Sequence, residues 1–500
     1  MSEEIIIRIE DMLDDGRAFG RSEGCAVFVS GEGTMPDGSA CSGAVPGDLV
    51  KARVTKLKKS SAEAELVEII EASKDRIAAE CPYFGKCGGC SLQEMSYNAQ
   101  LRLKKEQVKS KLERLGGLDD PIVNDCIEAE IMKYYRNKAV FAVGPHGEVG
   151  FLKGKSHFVM DIDDCLLQSD AAMVSADALR MFLRMPEHKG LSGRVIKQMT
   201  VRSAFSTGEV MVVIESEKKD IESIDVLIEM LDDAVCSINY AEDEEAPTNE
   251  ADEFWSLESV ALVHKGKCHI IAGKPTIREE IITDDGRSIN FEISPQSFYQ
   301  VNPEQMVKLY DKAAEYAELK GGETVLDLYC GAGTIGIWLL EELRMRDEEA
   351  FEKTKVIGIE SVKPAVLDAN RNSVINGMVN TRYFSGKAEE ELPGMMGLAK
   401  LYKWNEVNER VEREAEIRIE KADVVILDPP RAGCGDALLD AVAAAQPSRI
   451  VYVSCDPGTL ARDIKQLTEH GYEFIEATPI DQFPQTSHIE VVARIQKKKR

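Results

Sequence analysis

The chain has 500 residues, of which 44% are hydrophobic and 30% charged, and its formal net charge is −26. This composition excludes global disorder, and the length predicts about two to four domains. No apolar run is long enough for a transmembrane helix and the first residues lack a signal-peptide pattern, so we expect a cytoplasmic protein with no membrane partner. The 12 cysteines are then expected to be metal ligands, catalytic thiols or buried thiols rather than disulfides.

The net negative charge argues against a nucleic-acid partner, because phosphate contacts need Lys and Arg. The charges are clustered, with acidic runs at 241–253, 341–353 and 406–420 and basic runs at 51–59, 102–114 and 496–500. A local basic stripe can bind RNA while the rest of the surface stays acidic. Each run taken singly is more typical of a solvated helix face, so charge alone leaves an RNA partner open.

The first 70 residues predict a small β-barrel. Short alternating apolar stretches, such as CAVFVSG (25–31) and LVKARV (49–54), are broken by Gly, Pro and Asp, which is typical of an OB-like barrel. Residues 31–43 predict a long loop between two strands. Further along, predicted strands mix with helices near 170–185 and 220–232, which indicates a central α+β domain.

From residue 296 the pattern changes to strands and helices in regular alternation. A helix near 303–318 precedes the strand TVLDLYC (324–330), a Gly-rich turn and further strand–helix pairs. This alternation predicts a Rossmann-like, doubly wound α/β sheet. The charged segment 405–421 predicts a helix-like elaboration of that sheet. We therefore expect three parts, with bounds at 1–70, 75–295 and 296–500.

The Gly-rich turn predicts a nucleotide-type cofactor site. Gly331 and Gly333 let the backbone approach a ligand, and the following helix offers free N–H groups. Glu360 ends the next strand, where a carboxylate can accept hydrogen bonds from both ribose hydroxyls of an adenosine. The motif also fits NAD, but its place after a complete domain and the later Asp-Pro-Pro (428–430) favour S-adenosylmethionine. A purely structural turn is the remaining alternative.

Three polar side chains are predicted to meet at the carboxyl ends of this sheet. Asp428 and Cys455 follow strands, and Glu490 enters the last strand. Methylation of uracil C5 needs a thiolate that adds to C6, so that C5 becomes nucleophilic, and a base that then removes the C5 proton. A Cys on a loop that leads into a helix is also well placed for a lowered pKa. A buried thiol, a surface acid and a rigid turn are the ordinary interpretations of these residues singly, and their coincidence favours catalysis.

These residues lie in strings that resemble the RNA 5-methyluridine methyltransferases of the TrmA/RumA type. The strings are SFYQVNPEQ (297–305), DLYCGAGTIG (327–336), VIGIE (356–360), DPPRAG (428–433), VYVSCDP (451–457) and HIE (488–490). The resemblance implies that Cys455 is the nucleophile and Glu490 the proton-abstracting base. It also implies a pocket for S-adenosylmethionine formed by Gln300, Tyr329, Glu360 and Asp428, beside the turn with Gly331 and Gly333.

Four cysteines form a second cluster. Cys81, Cys87 and Cys90 lie in a Gly-rich segment, and Cys165 follows in DIDDC (161–165). Four thiolates can hold zinc or an iron–sulfur cluster, and the spacing does not decide between these and unligated thiols. The strings CPYFGKCGGCSLQ (81–93) and DIDDC resemble the cluster-bearing branch of the same family, which implies a [4Fe-4S] cluster on these four cysteines. Residues 1–70 resemble the N-terminal TRAM domain of that branch, an RNA-binding barrel.

The branch resemblance implies 23S ribosomal RNA as the substrate, with transfer RNA as the alternative and no obligatory protein partner. We expect the target uridine to leave its stack, because a stacked base hides C6 from Cys455. Phe298, Tyr299 and Phe483 are candidates for stacking on RNA bases, although core packing is the ordinary role of each. Three other functions remain as alternatives: an NAD-dependent oxidoreductase, a non-catalytic RNA-binding protein with a methyltransferase-like domain, and a methyltransferase acting on DNA amines.

Overall fold

The computed structural model describes residues 3–13, 15–154, 156–240, 255–283, 286–404 and 410–498. The acidic run 241–253 lies outside the described residues, as do parts of the charged runs 406–420 and 496–500. Within the described ranges, no helix is both long and apolar enough to cross a membrane.

The N-terminal strands form a closed barrel. They are β1 (Glu4–Met12), β2 (Ala18–Ser22), β3 (Cys25–Ser30), β4 (Gly33–Thr34), β5 (Ala40–Cys41), β6 (Leu49–Leu57) and β7 (Ser61–Glu71). Five of them are adjacent in the order β3-β2-β1-β6-β7, and the pairing of β3 with β7 closes the barrel. Apolar residues at alternating positions, among them Ile7, Ile9 and Val27, fill its interior. The predicted OB-like barrel is confirmed.

Segment 31–43 differs from its prediction as a long loop. Strands β4 and β5 pair in an antiparallel hairpin, and β4 also pairs with β7. The reason lies in the local turn, because Gly38 adopts a φ of 87° and its N–H donates to the carbonyl oxygen of Met35 at 2.9 Å. Residues with a positive φ favour tight reversals, so the chain folds back onto the barrel at this point.

A helix and an α+β layer follow the barrel. The helices are α1 (Tyr97–Arg114), α2 (Asp170–Arg184) and α3 (Ile224–Ser237), and the strands are β8 (Lys138–Val143), β9 (Val149–Leu152), β10 (Val159–Asp161), β11 (Ile196–Ser203), β12 (Glu209–Ser216), β13 (Ser256–His264) and β14 (Lys267–Gly273). The strands form one sheet in the order β10-β9-β8-β11-β12-β13-β14. Helices α2 and α3 share a core with this sheet, which confirms the predicted α+β character. A separate hairpin, β15 (Ile277–Ile282) with β16 (Ser288–Ile293), leads towards the C-terminal sheet.

The C-terminal part is a doubly wound α/β sheet. Its strands are β17 (Thr324–Leu328), β18 (Lys355–Glu360), β19 (Thr381–Ser385), β22 (Val424–Leu427), β23 (Arg449–Ser454), β24 (Tyr472–Ile480) and β25 (Glu490–Lys497). Its helices are α4 (Pro303–Ala317), α5 (Thr334–Arg346), α6 (Glu348–Lys353), α7 (Lys363–Ile375), α8 (Ala388–Met395), α9 (Asp436–Ala444) and α10 (Pro457–Glu469). Strand β22 is apolar and buried along its whole length, as expected in a sheet that is covered on both faces. The predicted Rossmann-like class is confirmed.

The strand order β19-β18-β17-β22-β23-β25-β24 creates the ligand edge of this sheet. From β17 the chain adds strands first on one side (β18, β19) and then on the other (β22, β23), so the strand order reverses between β17 and β22. In open α/β sheets, ligands bind at such a point. Strand β25 runs antiparallel to both of its neighbours, because residues 481–489 join it to β24 as a hairpin without a crossover helix. The start of β25 therefore lies at the same edge as the carboxyl ends of the parallel strands.

The charged segment 405–421 also differs from its prediction. Strands β20 (Leu401–Trp404) and β21 (Arg410–Arg413) pair with each other in antiparallel register. Residues 405–409 lie outside the described residues, but a helix-like course is wrong for 410–413. The reason is that LYKW can pair with RVER through the backbone, and this pairing overrides the helix propensity of the charged residues.

Candidate active site

The Gly-rich turn has the form predicted for a ligand cradle. Gly331 and Gly333 adopt φ values of 54° and 77°, a conformation that side chains rarely allow. A Cβ on Gly333 would lie 2.8 Å from the ring of Tyr383, so the turn also depends on the absence of a side chain. The N–H of Gly331 donates to Oε2 of Glu360 at 3.2 Å, which joins the turn to the end of β18. These three predicted residues are therefore brought together.

Three carboxyl groups meet beside this turn. Burial raises the pKa of Asp327 to about 7. The N–H of Gly336 donates to Oδ2 of Asp327 and lowers this pKa, but burial is the larger effect. Burial also raises the pKa of Asp428 to about 7, and the negative charges of Asp327 and Glu360 add to that increase. Carboxyl groups that disfavour each other's charge gain stability from a positively charged ligand. The cradle thus suits a cation.

Tyr329 and Gln300 occupy different surroundings from the carboxyl groups. Tyr329 follows β17 with a φ of 62°, and its hydroxyl donates to Oε1 of Glu389. Gln300 is buried and precedes α4. Its backbone carbonyl oxygen accepts a hydrogen bond from Nδ2 of Asn137 at 3.0 Å. This hydrogen bond joins the C-terminal part to the residue that precedes β8 in the central sheet. The prediction that Gln300 lines the cofactor pocket rests only on the family resemblance.

Cys455 lies between the end of β23 and the start of α10. The next residue, Asp456, caps α10, since its Oδ1 accepts from the N–H groups of Gly458 and Thr459 at 2.8 and 3.0 Å. Burial, together with the charges of Glu490 and Asp428, raises the pKa of the Cys455 thiol to about 11, although the charge of Arg431 lowers it. The predicted lowering of this pKa is therefore wrong for the free site, because burial and two acidic neighbours outweigh the position beside a helix start.

Glu490 is the first residue of β25 and is buried. It pairs with Ile480, while Ser454 pairs with Val491, so the residues that flank these pairs lie at one edge. Burial raises the pKa of Glu490 well above its ordinary value, and the charge of Asp428 acts in the same direction. Cys455, Glu490 and Asp428 are thus brought together as predicted, although Glu490 arrives on an antiparallel strand.

Arg431 is a charged neighbour of the site that the prediction missed. It is exposed at the loop after β22, and its positive charge lowers the pKa of both Cys455 and Glu490. It follows Asp428 within the same short string, so a cation three residues after a predicted site residue was the available signal. A fixed positive charge near a thiol favours the thiolate.

The four predicted cysteine ligands line one cavity of about 340 Å³. Cys81, Cys87 and Cys90 approach it from the segment before α1, and Cys165 approaches it from the segment before α2. In the described part of the chain, no three His, Cys, Asp or Glu side chains converge on a single metal ion. Arg136 and Lys138 line the same cavity, and no ion pair involves either among the described residues. The charged and thiol groups of the cavity lining are therefore four thiols, two cations and the carboxyl group of Asp164.

The predicted RNA-contact residues differ in their exposure. Phe298 is 60% exposed, whereas Tyr299 is 2% exposed and belongs to the core, so Tyr299 cannot stack on a base. Phe483 is half-buried and packs edge-on against His488. In the basic runs, Lys51 lies 3.4 Å from Glu68, and Lys105 and Lys109 form ion pairs with acidic neighbours. For these lysines the solvated-face interpretation holds.

Comparison with known proteins identifies the chemistry. The chain matches the family described as tRNA (Uracil-5-)-methyltransferase over residues 214–498. It is 35% identical to an uncharacterized RNA methyltransferase of Halalkalibacterium halodurans, over 98% of this chain and 96% of that protein. It is 37% identical to an uncharacterized RNA methyltransferase of Caldanaerobacter subterraneus, over 99% of both chains.

A solved structure supports the same conclusion. The tRNA (uracil-54, C5)-methyltransferase of Pyrococcus abyssi, in complex with S-adenosyl-L-homocysteine, has a TM-score of 0.65 and 26% identity, over 98% of this chain and 100% of that chain. The predictions of an RNA uracil-C5 methyltransferase and of S-adenosylmethionine as its cofactor are confirmed. The alternatives of an NAD-dependent oxidoreductase, a non-catalytic protein and a DNA amine methyltransferase are wrong. The chain belongs to the tRNA (uracil-5-)-methyltransferase family.

Proposed function

We propose that this enzyme methylates a uridine of RNA through a covalent bond between Cys455 and uracil C6, with Glu490 as the base. The observation that carries the proposal is the register of β23 and β25, in which Ser454 pairs with Val491. Because of that pairing, the thiol and the carboxyl group lie at one edge of the sheet. The charge of Glu490 raises the pKa of Cys455, and the charges of Asp428 and Arg431 act on the pKa values of both groups.

The reaction needs two proton transfers and one methyl transfer. The thiolate Sγ of Cys455 bonds to C6, and the ring electrons move to the C4 carbonyl oxygen as an enolate. S-adenosylmethionine would supply an electrophilic methyl group to C5, and S-adenosyl-L-homocysteine would leave with the electrons of the broken methyl–sulfur bond. Glu490 then removes the C5 proton, the C5–C6 double bond re-forms, and the C6–S bond breaks to return the thiolate. One methyl group has replaced one proton, which passes from Glu490 to solvent.

The thiol must first lose its own proton. Its pKa of about 11 means that little thiolate exists at neutral pH in the free site. The positive charge of Arg431 acts against that increase, so Arg431 stabilises the thiolate when the base enters. Burial favours the neutral form of Glu490 in the free site, so Glu490 must release its own proton to solvent before its carboxylate can accept the C5 proton.

The proposed cofactor pocket follows the Gly-rich turn. Gly331 and Gly333 allow close approach, and Glu360 accepts from the ribose hydroxyls. The carboxyl groups of Asp327 and Asp428 provide the negative charge that a cationic cofactor needs. Gln300 and Tyr329 are proposed to complete the pocket on the basis of the family resemblance.

For the four cysteines we propose a [4Fe-4S] cluster, with structural zinc as the alternative. A metal group on four thiolates carries negative charge, and the cations Arg136 and Lys138 that line the same cavity would compensate it. The Nε of Arg136 is buried and has no hydrogen-bond partner among the described residues, which supports a bound group that supplies the acceptor. Once bound, the cluster would cross-link the segment that holds Cys81, Cys87 and Cys90 to Cys165.

The RNA is proposed to be 23S ribosomal RNA, because the cysteine segment and the barrel resemble the branch that carries both features. In this proposal residues 1–70 act as a TRAM domain, residues 75–295 hold the cluster and residues 296–500 perform the chemistry. The exposed ring of Phe298 is the remaining candidate for stacking on a base. Transfer RNA is the second candidate, because the Pyrococcus abyssi enzyme acts on uracil 54 of tRNA and aligns over 98% of this chain.

The test is to incubate unmodified ribosomal RNA and transfer RNA with the protein and methyl-labelled S-adenosylmethionine. Mass spectrometry of the nucleosides then locates the label. Labelled 5-methyluridine in 23S RNA supports the whole proposal, and label in transfer RNA alone overturns the choice of RNA. Absence of labelled 5-methyluridine from both overturns the proposed reaction.

A further inference from the structure

The loop that leads to Glu490 is bound to the segment that carries the cysteines. We call residues 481–489 the base loop, because it ends immediately before Glu490 at the start of β25. The N–H groups of Ser91 and Leu92 both donate to the carbonyl oxygen of Gln485 at 3.1 Å. In return, the N–H of Ser487 donates to Oγ of Ser91 at 2.8 Å. Ser91 directly follows Cys90, so the cysteine segment and the base loop are joined by hydrogen bonds that each segment donates to the other.

Gln485 is the centre of this contact. Its N–H donates to Oε1 of Gln100 at 3.1 Å, and Nε2 of Gln100 donates to Oε1 of Gln485 at 3.0 Å. Gln485 has a φ of 69°, in the left-handed region that residues other than glycine seldom occupy. Such a conformation persists only where the surroundings hold it, and here Ser91, Leu92 and Gln100 supply four hydrogen bonds to one residue.

The rest of the base loop is fixed by α1 and by the segment before β8. Lys104 forms a fully buried ion pair with Asp481, and its Nζ also donates to the carbonyl oxygen of Phe483 at 3.2 Å. The hydroxyl of Tyr135 donates to the carbonyl oxygen of Pro484 at 3.0 Å. Helix α1 thus holds Asp481 and Phe483 through Lys104. It also holds Gln485 through Gln100, and Ser91 adds a contact to Ser487, three residues before Glu490.

We propose that Ser91 and Gln485 are positioning residues for Glu490, and that through them the cysteine segment sets the placement of the base. This inference rests on the proposed role of Glu490. A general base must lie within hydrogen-bond reach of the proton that it removes, so a small displacement of the loop slows that step. Formation of the Cys455 bond depends on a different loop, after β23, and is unaffected.

The two steps can be separated by measuring the covalent protein–RNA adduct. In a single turnover with RNA and S-adenosylmethionine, we follow adduct formation and adduct breakdown on denaturing gels. Ser91→Ala removes the acceptor for the N–H of Ser487, and Gln485→Ala removes the acceptor for Nε2 of Gln100. Each is expected to slow adduct breakdown by about tenfold or more, with formation within about threefold of the wild type.

Matched variants provide the controls. Ser91→Thr keeps a hydroxyl acceptor and Gln485→Glu keeps an Oε1 acceptor, so both should restore the breakdown rate towards that of the wild type. Affinity for S-adenosyl-L-homocysteine and the thermal unfolding temperature show that each variant is folded. Glu490→Gln serves as the reference for complete loss of the base.

The outcomes separate the two proposals. Accumulation of adduct in Ser91→Ala and Gln485→Ala, with recovery in the matched variants, supports the positioning role. If Glu490→Gln accumulates adduct but the alanine variants break it down at the wild-type rate, the positioning role is wrong. It is also wrong if formation and breakdown fall together, because that would indicate a general structural role. If Glu490→Gln accumulates no adduct, the proposed base itself is wrong.

Discussion

Ser454 of β23 pairs with Val491 of β25, two strands that run in opposite directions. This pairing brings the residue after Ser454 and the residue before Val491 to one edge of the sheet. Cys455 and Glu490 therefore lie at the same edge of the sheet without belonging to one local motif. Covalent catalysis at a pyrimidine ring requires such a pair, since attack at C6 and proton removal at C5 occur at adjacent ring atoms.

Replacement of Cys455 by Ala should abolish methylation, because the variant lacks the thiol that is proposed to bond to C6. The affinity for S-adenosyl-L-homocysteine should stay within about threefold of the wild type, since the cofactor turn contacts other residues. Calorimetric titration and a methyl-transfer assay measure the two effects. A large loss of cofactor affinity would instead make Cys455 a structural residue.

Removal of the positive charge of Arg431 should shift the pH dependence of Cys455. Arg431 lowers the pKa of the thiol, so Arg431→Gln should raise it further above about 11 and reduce the thiolate fraction at any given pH. Because Arg431 is exposed and its field is screened, we expect less than about a tenfold decrease in the alkylation rate.

The measurement is mass spectrometry of the Cys455 peptide after timed treatment with iodoacetamide from about pH 7 to about pH 10, the range in which a thiol begins to ionise. Arg431→Lys keeps the charge and should behave as the wild type. An unchanged alkylation rate in Arg431→Gln would exclude Arg431 from the activation of the thiol.

Binding of S-adenosylmethionine should strengthen as the pH rises through about 7. Asp327 and Asp428 have pKa values raised to about 7 in the free protein, and a cationic ligand favours their ionised forms. Below about pH 7 the two carboxyl groups are mostly protonated, so the ligand must displace protons in order to bind. Above about pH 7 the carboxylates are already formed. Calorimetry in two buffers of different ionisation enthalpy measures the affinity and the protons released. Affinity independent of pH from about 6 to 8 would mean that neither carboxyl group contacts the positive charge.

Purification without oxygen should give a brown protein with absorbance at about 400 nm, as expected for iron bound by thiolates. Cys165→Ser should lose that absorbance, whereas Cys236→Ser, which changes a cysteine outside the cluster cavity, should keep it. A colourless wild-type protein with one zinc per chain would contradict the [4Fe-4S] proposal and favour the alternative.

The sequence predicted the parts of the site that depend on local structure. Gly331 follows a buried strand in a turn, and Asp428 and Cys455 follow strands of a regular α/β alternation, so the topology places them at one edge. The antiparallel course of β25 was not predicted, because the strand-helix pattern contains no mark for a hairpin at its end. Gln300 was predicted only through the family resemblance, since its residue type carries no specific chemistry.

Interactions between distant parts of the chain were the main limit of prediction. The hydrogen bond between Ser487 and Ser91 joins residues 396 positions apart, and no periodicity reports such a contact. The pKa of Cys455 was predicted in the wrong direction for the same reason. The neighbouring helix start was visible in the sequence, whereas burial and the charges of Glu490 and Asp428 depend on the assembled sheet.

The most direct test of the covalent mechanism is intact-protein mass spectrometry of Glu490→Gln after incubation with substrate RNA and methyl-labelled S-adenosylmethionine. This variant should accumulate an adduct in which labelled RNA is attached to Cys455, because elimination needs the missing carboxylate. The Cys455→Ala, Glu490→Gln double variant should form none. Continued turnover by Glu490→Gln, or no adduct while RNA and cofactor still bind, would contradict the assignment of nucleophile and base.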